Sequence, residues 1–255
     1  MGDQYQLTLK NESDQPGLTF AVYTVIDMVT ANAETFPLAW QTKRLNKGNK
    51  VTFSWTLDYS FMFSTQGAQA GAVWTENGSI DVKDSSKRHN SVLLDYDGDY
   101  LFKYNAGAHA VKNGYVYLDT TAQVPKYTPA GPSVALAIAV GDNGTPSPAV
   151  AGNSGINLGH QFDLHPTYYI QAGQIEQGQM ADLTTTTALQ KVVFDPGCTR
   201  RTGRSPRRTP GSAAELPTRG AGARGILRAP FIKPPRRAPT LSRARAGGGA
   251  LCGAL

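Results

Sequence analysis

The chain has 255 residues, enough for one large domain or two small ones, and its net charge of +6 is unevenly placed. Residues 1–196 hold 12 basic against 18 acidic side chains, a formal −6, whereas residues 197–255 hold 13 basic residues and one acid, a formal +12. Both cysteines, Cys198 and Cys252, fall in the second part, which excludes a disulfide framework and a thiolate metal centre from the first.

The opening MGDQYQLTLK has no basic stretch followed by an apolar core, so no secretory leader is expected and the cytoplasm is the expected compartment. Segment 5–11, YQLTLKN, alternates Tyr5, Leu7 and Leu9 with polar partners and reads as a strand. LTFAVYTVI, 18–26, places Leu18, Phe20, Val22 and Ile26 on one side. A short helical turn fits around 27–36. Next comes VTFSWTLDYSFMFS, 51–64, with Val51, Phe53, Trp55, Leu57, Tyr59, Phe61 and Phe63 on one parity and mostly Ser and Thr on the other. Only a strand converts that alternation into one buried and one wet face. Fully extended it would span about 46 Å at roughly 3.3 Å per residue, longer than a compact domain normally accommodates. A bend or bulge near Leu57–Asp58 is therefore expected, so that the strand serves two sheets or a strongly curved one.

Further strands are expected in DYLFKYN (99–105), NGYVYLD (113–119), TYYIQAG (167–173) and KVVFD (191–195). SVALAIAV, 133–140, is apolar on both parities and suits an interior strand; a second helical turn fits around 180–190. Asn46-Lys47-Gly48, Asn77-Gly78, Asp97-Gly98 and Asp142-Asn143-Gly144 punctuate these runs with residues that tolerate positive φ. The sum predicts an all-β fold: a single antiparallel β-sandwich over residues 1–196 with hairpin connections.

From Gly197 the composition changes. Of 59 residues, 12 are Arg, 10 Gly, 10 Ala and 7 Pro, which leaves too little apolar surface to offset ordering entropy and predicts a disordered tail. Such a polycation pairs with phosphates and would bind nucleic acid without specificity. The residues are also those of GC-rich codons read out of frame. The body draws 10 of its 12 basic residues from Lys and the tail 12 of 13 from Arg, so a frame-shifted or otherwise non-native end is the favoured reading.

Candidate chemistry is sparse. His160 and His165 are five apart, on opposite faces of a regular strand, and with His89 and His109 they read as surface or loop histidines rather than metal ligands. DYDGDY, 95–100, superficially resembles a calcium loop but lacks a distal glutamate, so a hairpin with Asp97-Gly98 at its tip is expected instead. No nucleophile elbow, paired-histidine zinc motif, phosphate loop or dinucleotide fingerprint occurs, so no catalytic residue, metal or cofactor is assigned. Three Asn-x-Ser/Thr triplets are incidental without a secretory route. The longest purely apolar run, residues 134–140, is far short of a membrane span. Trp55 shares parity with core positions and is expected buried, leaving Trp40 and Trp74 as the candidate ligand-binding rings, able to form a sugar platform if exposed.

YQLTLKNESDQPGLTFAVYT, LAWQTKRLNKGNKVTFSWTLDYSF and LHPTYYIQAGQIEQGQ together resemble the RhiA family of rhizosphere-expressed proteins from root-nodulating bacteria, over about residues 4–195. The resemblance implies cell-density-controlled expression and a part in plant–microbe interaction, with no enzymatic activity. The expected function is accordingly that of a non-enzymatic accessory factor acting by binding. A glycan- or lipid-headgroup-binding module is the alternative, and nucleic-acid binding through the tail a weaker one.

Overall fold

The computed structural model describes residues 3–13, 17–30, 34–126, 128–141, 143–181, 189–194 and 223–228, and among these it contains strands and turns but no helix. The strands are β1 (Gln4–Lys10), β2 (Leu18–Val25), β3 (Met28–Thr30), β4 (Thr35–Pro37), β5 (Ala39–Leu45), β6 (Lys50–Ser64), β7 (Gly78–Val82) and β8 (Ser91–Tyr96). They continue with β9 (Tyr100–Tyr104), β10 (Tyr115–Thr120), β11 (Ser133–Val140), β12 (Thr145–Asn153), β13 (Gly159–Asp163), β14 (Thr167–Gly173), β15 (Gln190–Val192) and β16 (Ala223–Arg228).

They form three sheets. The largest runs β16-β1-β6-β11-β12-β4, with β7 also paired to β6; the second runs β3-β13-β10-β8-β9, and the third β15-β14-β2-β5. All named ladders are antiparallel except β8 with β10 and β1 with β16. The all-β antiparallel reading holds, but hairpins join only some neighbours. Gly98 (φ 78°) turns β8 into β9, and Gly141 and Gly144 (φ 65° and 64°) flank the β11–β12 turn. The Asn46–Gly48 turn instead carries the chain from the third sheet to the first.

The aromatic strand β6 organises the molecule. Its first half pairs with β1, register Gln4↔Thr56 to Lys10↔Lys50, and its second half pairs with β7, Tyr59↔Val82 to Phe63↔Gly78. Along its other edge β11 pairs Ile138 with Tyr59 and Ala139 with Thr56, so Leu57 and Asp58 have no partner there. This is the expected bulge. Because two residues slip together, the period of two survives: Phe53, Trp55, Phe61 and Phe63 all face the main core.

That face is covered twice. Trp55 meets Tyr168 of the third sheet, ring centroids 5.0 Å apart, while Phe61 meets Phe162 of the second at 5.2 Å. β11 is buried on both faces, as its composition predicts. Val134, Leu136 and Ile138 join the main core, and Ala135 and Ala137 a smaller cluster with Met62, Leu38, Trp74 and Met180. Fully burying each large apolar side chain contributes about 1.5–3 kcal/mol, and Val134, Leu136 and Ile138 of β11 are each fully buried.

Three expectations need correction or restriction. The helical turn at 27–36 is contradicted, since Met28–Thr30 and Thr35–Pro37 are strands pairing with β13 and β12; edge pairing there satisfies the backbone in place of helical bonds. At 180–190, Met180 bridges Leu38 and Gln190 begins β15, while 182–188 lie outside the described residues. The disordered tail also falls outside them, apart from 223–228, whose backbone pairs with β1.

Candidate functional site

β7 and β9 are both edge strands: among the described residues β7 pairs only with β6, and β9 only with β8. Each belongs to a different sheet, and the seam between them is a cleft of about 450 Å³. Its floor is aromatic. Phe63 from β6 packs against Tyr100 and Phe102 from β9 at 5.2 and 5.4 Å, and Tyr100 meets Tyr96 edge-on at 4.9 Å. Gly78 makes the floor accessible, because a Cβ there would lie 2.6 Å from the Phe63 ring. Leu101, 55 % exposed, forms an apolar lip.

The rim is short and polar: Thr65, Asn77, Ser79 and Asp99. Asn77 Oδ1 accepts the Thr65 backbone N–H at 2.9 Å, and Asp99 Oδ1 accepts the Tyr100 N–H at 2.8 Å, so both side chains are held in place. At the far end the Tyr104 hydroxyl donates to the Asp81 carbonyl at 3.0 Å, and the His89 ring lies tilted against Tyr104 at 4.5 Å. A carbonyl bonded from β9 points away from β6. Antiparallel geometry then turns the N–H and C=O of Ser79, two residues back, toward the cleft as well. Desolvation, with Tyr96 adding to it, raises the Tyr100 phenol above its ordinary pKa, so it remains a neutral hydrogen-bonding group.

The tryptophans end elsewhere. Trp55 is fully buried, as its parity predicts, and its indole N–H donates to the Tyr168 hydroxyl at 3.1 Å. Trp40 and Trp74, the candidate ligand-binding rings, are 0 % and 4 % exposed, so neither offers a platform to a sugar. Trp40 lies edge-on to Trp55 at 5.4 Å; Trp74 fills the smaller cluster and donates to Ser133 Oγ at 2.8 Å. Both are buried because the third sheet and the 65–77 connection each cover a face of the first sheet. The rings facing solvent come instead from β9, a segment recognisable as a strand but not as the wall of a cleft.

The histidines do not converge. His165 is exposed and hydrogen-bonded to Asp163, which lowers that carboxyl's pKa, whereas His160 is buried against Ser154 Oγ at 2.9 Å. Reading His160 as a surface residue is therefore wrong: it shares the inner parity of β13 with Phe162. His109 pairs with Asp119 at 2.8 Å and stacks on Tyr117 at 4.2 Å. The DYDGDY segment is a hairpin tip as expected, with Asp97 N–H donating to Asp99 O at 3.1 Å.

A family model described as RhiA matches residues 2–205. Protein RhiA of Rhizobium leguminosarum bv. viciae is 29% identical over 196 residues, covering 76% of this chain and 78% of that protein. No solved structure matches.

Proposed function

Since this chain belongs to the RhiA family, we propose that it is a non-catalytic accessory protein of microbe–host interaction, made under cell-density control and acting by binding. The observation that supports binding is the β7–β9 cleft: two free strand edges over a floor of phenyl and phenol rings. Exposed strand edges and accessible aromatic rings are recognition surfaces, and 450 Å³ lies within the range of small-ligand sites. The non-catalytic part is supported by the cleft lining, where among the described residues Asp99 stands without a second carboxylate or a histidine beside it. Ser154 and His160 are sealed in the core, and the Asp119–His109 pair lies outside the cleft lining. A cysteine-free body needs no oxidising compartment, which supports action in the cytoplasm.

Between a glycan and a lipid headgroup, the cleft favours the glycan. Ring faces beside Thr65, Asn77, Ser79 and Asp99 offer apolar stacking together with hydroxyl, amide and carboxylate partners for sugar hydroxyls. The Asp99 carboxylate repels an anionic phosphate. The test is a glycan array and a set of anionic and zwitterionic liposomes probed with the full-length protein, beside Tyr100→Ala and Leu101→Glu variants. A glycan hit weakened about tenfold or more by both variants is expected, the loss that removing a stacking ring and adding a charge predicts. Glycan binding indifferent to both variants would remove the cleft from the account, and binding to liposomes alone would replace the glycan.

A further inference from the structure

A larger cavity, of about 770 Å³, lies where the start of β2 and the ends of β5 and β14 meet the 71–73 and 174–179 turns. Among the described residues it is lined by one cation, Arg44, and one anion, Glu176, beside Leu18, Val73 and Ile175. Arg44 is built into the wall. Its Nε–H donates to the Gly17 carbonyl at 2.9 Å, and a Cβ on Gly17 would lie 2.5 Å from Arg44 Nη2 and 2.6 Å from Nε. Gly17 also has φ 65°, so glycine there is required both by the backbone and by the guanidinium packed on it. The Nε–H contact fixes the plane of the fork, and no partner holds the Nη groups among the described residues.

Glu176 does not provide that partner: among the described residues no ion pair joins it to Arg44. Gln179 Oε1 accepts the Glu176 N–H at 3.1 Å, so its amide nitrogen is the group left to donate. Val73, 42 % exposed, adds an uncovered apolar patch. A preoriented cation, a carboxylate and an apolar wall in one cavity are the complement of a zwitterion with a hydrocarbon side chain. We propose that this cavity binds a short apolar peptide or amino acid by its charged termini. The ligand carboxylate sits on the Arg44 fork, its ammonium on Glu176 and its side chain against Val73. The volume is within the range of small-molecule sites and accommodates more than one residue.

The probe is leucyl-leucine, titrated calorimetrically into the full-length protein beside its C-terminal amide and its N-acetyl form. Each blocked form loses one charge-assisted contact and is expected to bind about tenfold or more weakly. Arg44→Gln should erase the preference for a free carboxylate, and Glu176→Gln the preference for a free amine. Gly17→Ala keeps the charge but displaces the fork, and should weaken the zwitterion and the N-acetyl form together, narrowing only their advantage over the amide. Equal binding of the three forms overturns the proposal. So does no heat of binding for leucyl-leucine up to about 10 mM, the affinity below which a site of this kind is not specific. Retention of both preferences in the Arg44→Gln and Glu176→Gln proteins, with unchanged thermal melts, overturns it equally.

Discussion

His160 shows how burial sets chemistry at a single residue. Its Nε2 shares a hydrogen bond with Ser154, its Nδ1 has no partner among the described residues, and burial pushes its pKa down to about 4. The unfolded chain takes up this proton near pH 6.5 and the native state does not, so stability falls as pH drops from about 6.5 to 4 and the slope ends below that. The loss should be about 2 kcal/mol, read as a shift in denaturant midpoint between pH 7 and pH 4.5, and it should vanish in His160→Leu. Asp95 works at lower pH. Hydrogen bonds from Lys103 and Thr121 hold its pKa at about 2, so its contribution is present above about pH 4 and is lost only as pH approaches 2. The two ranges are separable in one titration. Neither was readable in sequence, because an isolated histidine carries no local mark of burial. Trp74 makes the same point: its neighbours Thr75, Glu76 and Asn77 are exposed, and only the packing of the 65–77 connection over the first sheet buries it.

At the scale of elements, period two was the legible signal. β11 and β14 coincide with their apolar segments, and the Leu57–Asp58 bulge follows from a strand too long to stay straight. β4, β5 and β12 were not legible. AWQTKRL is buried at its first three positions and exposed in its middle, and TPSPAVAGN contains two prolines, so neither alternates cleanly. Their burial comes from neighbours on both faces, which removes the polar half of the pattern. The bulge supplies a direct check on parity. Deleting Leu57 and Asp58 together keeps Tyr59, Phe61 and Phe63 on the core face, and should give a folded protein of lower melting temperature. Deleting Asp58 alone turns those three rings outward and should abolish the cooperative melt. Equal melts for both deletions would contradict the packing described for β6.

For the whole molecule, charge separates by region: −6 in residues 1–196 and +12 in residues 197–255. The full-length protein should therefore retard duplex DNA at low salt irrespective of base sequence, with log K falling linearly in log salt and little binding above about 0.5 M. Sequence-selective or salt-insensitive binding in a mobility-shift titration would show instead a site in the acidic body. The cleft and the cavity are also properties of the whole fold. β7 and β9 belong to different sheets, and Arg44 and Glu176 are 132 positions apart in the chain, so no local motif announces either site. By itself the sequence determined the strand class, the bulge in the long aromatic strand, the doubly buried β11, the hairpin at Gly98 and the placement of positive charge beyond residue 196. All of these are short-range facts, written in the alternation of neighbouring side chains or in composition. Only the tertiary structure decided which strands became edges, which tryptophans were covered, and where two distant charges share one wall. Those outcomes depend on how the second and third sheets share one face of the first while the 65–77 connection covers the other, and contacts between residues far apart in the chain leave no periodic trace along it.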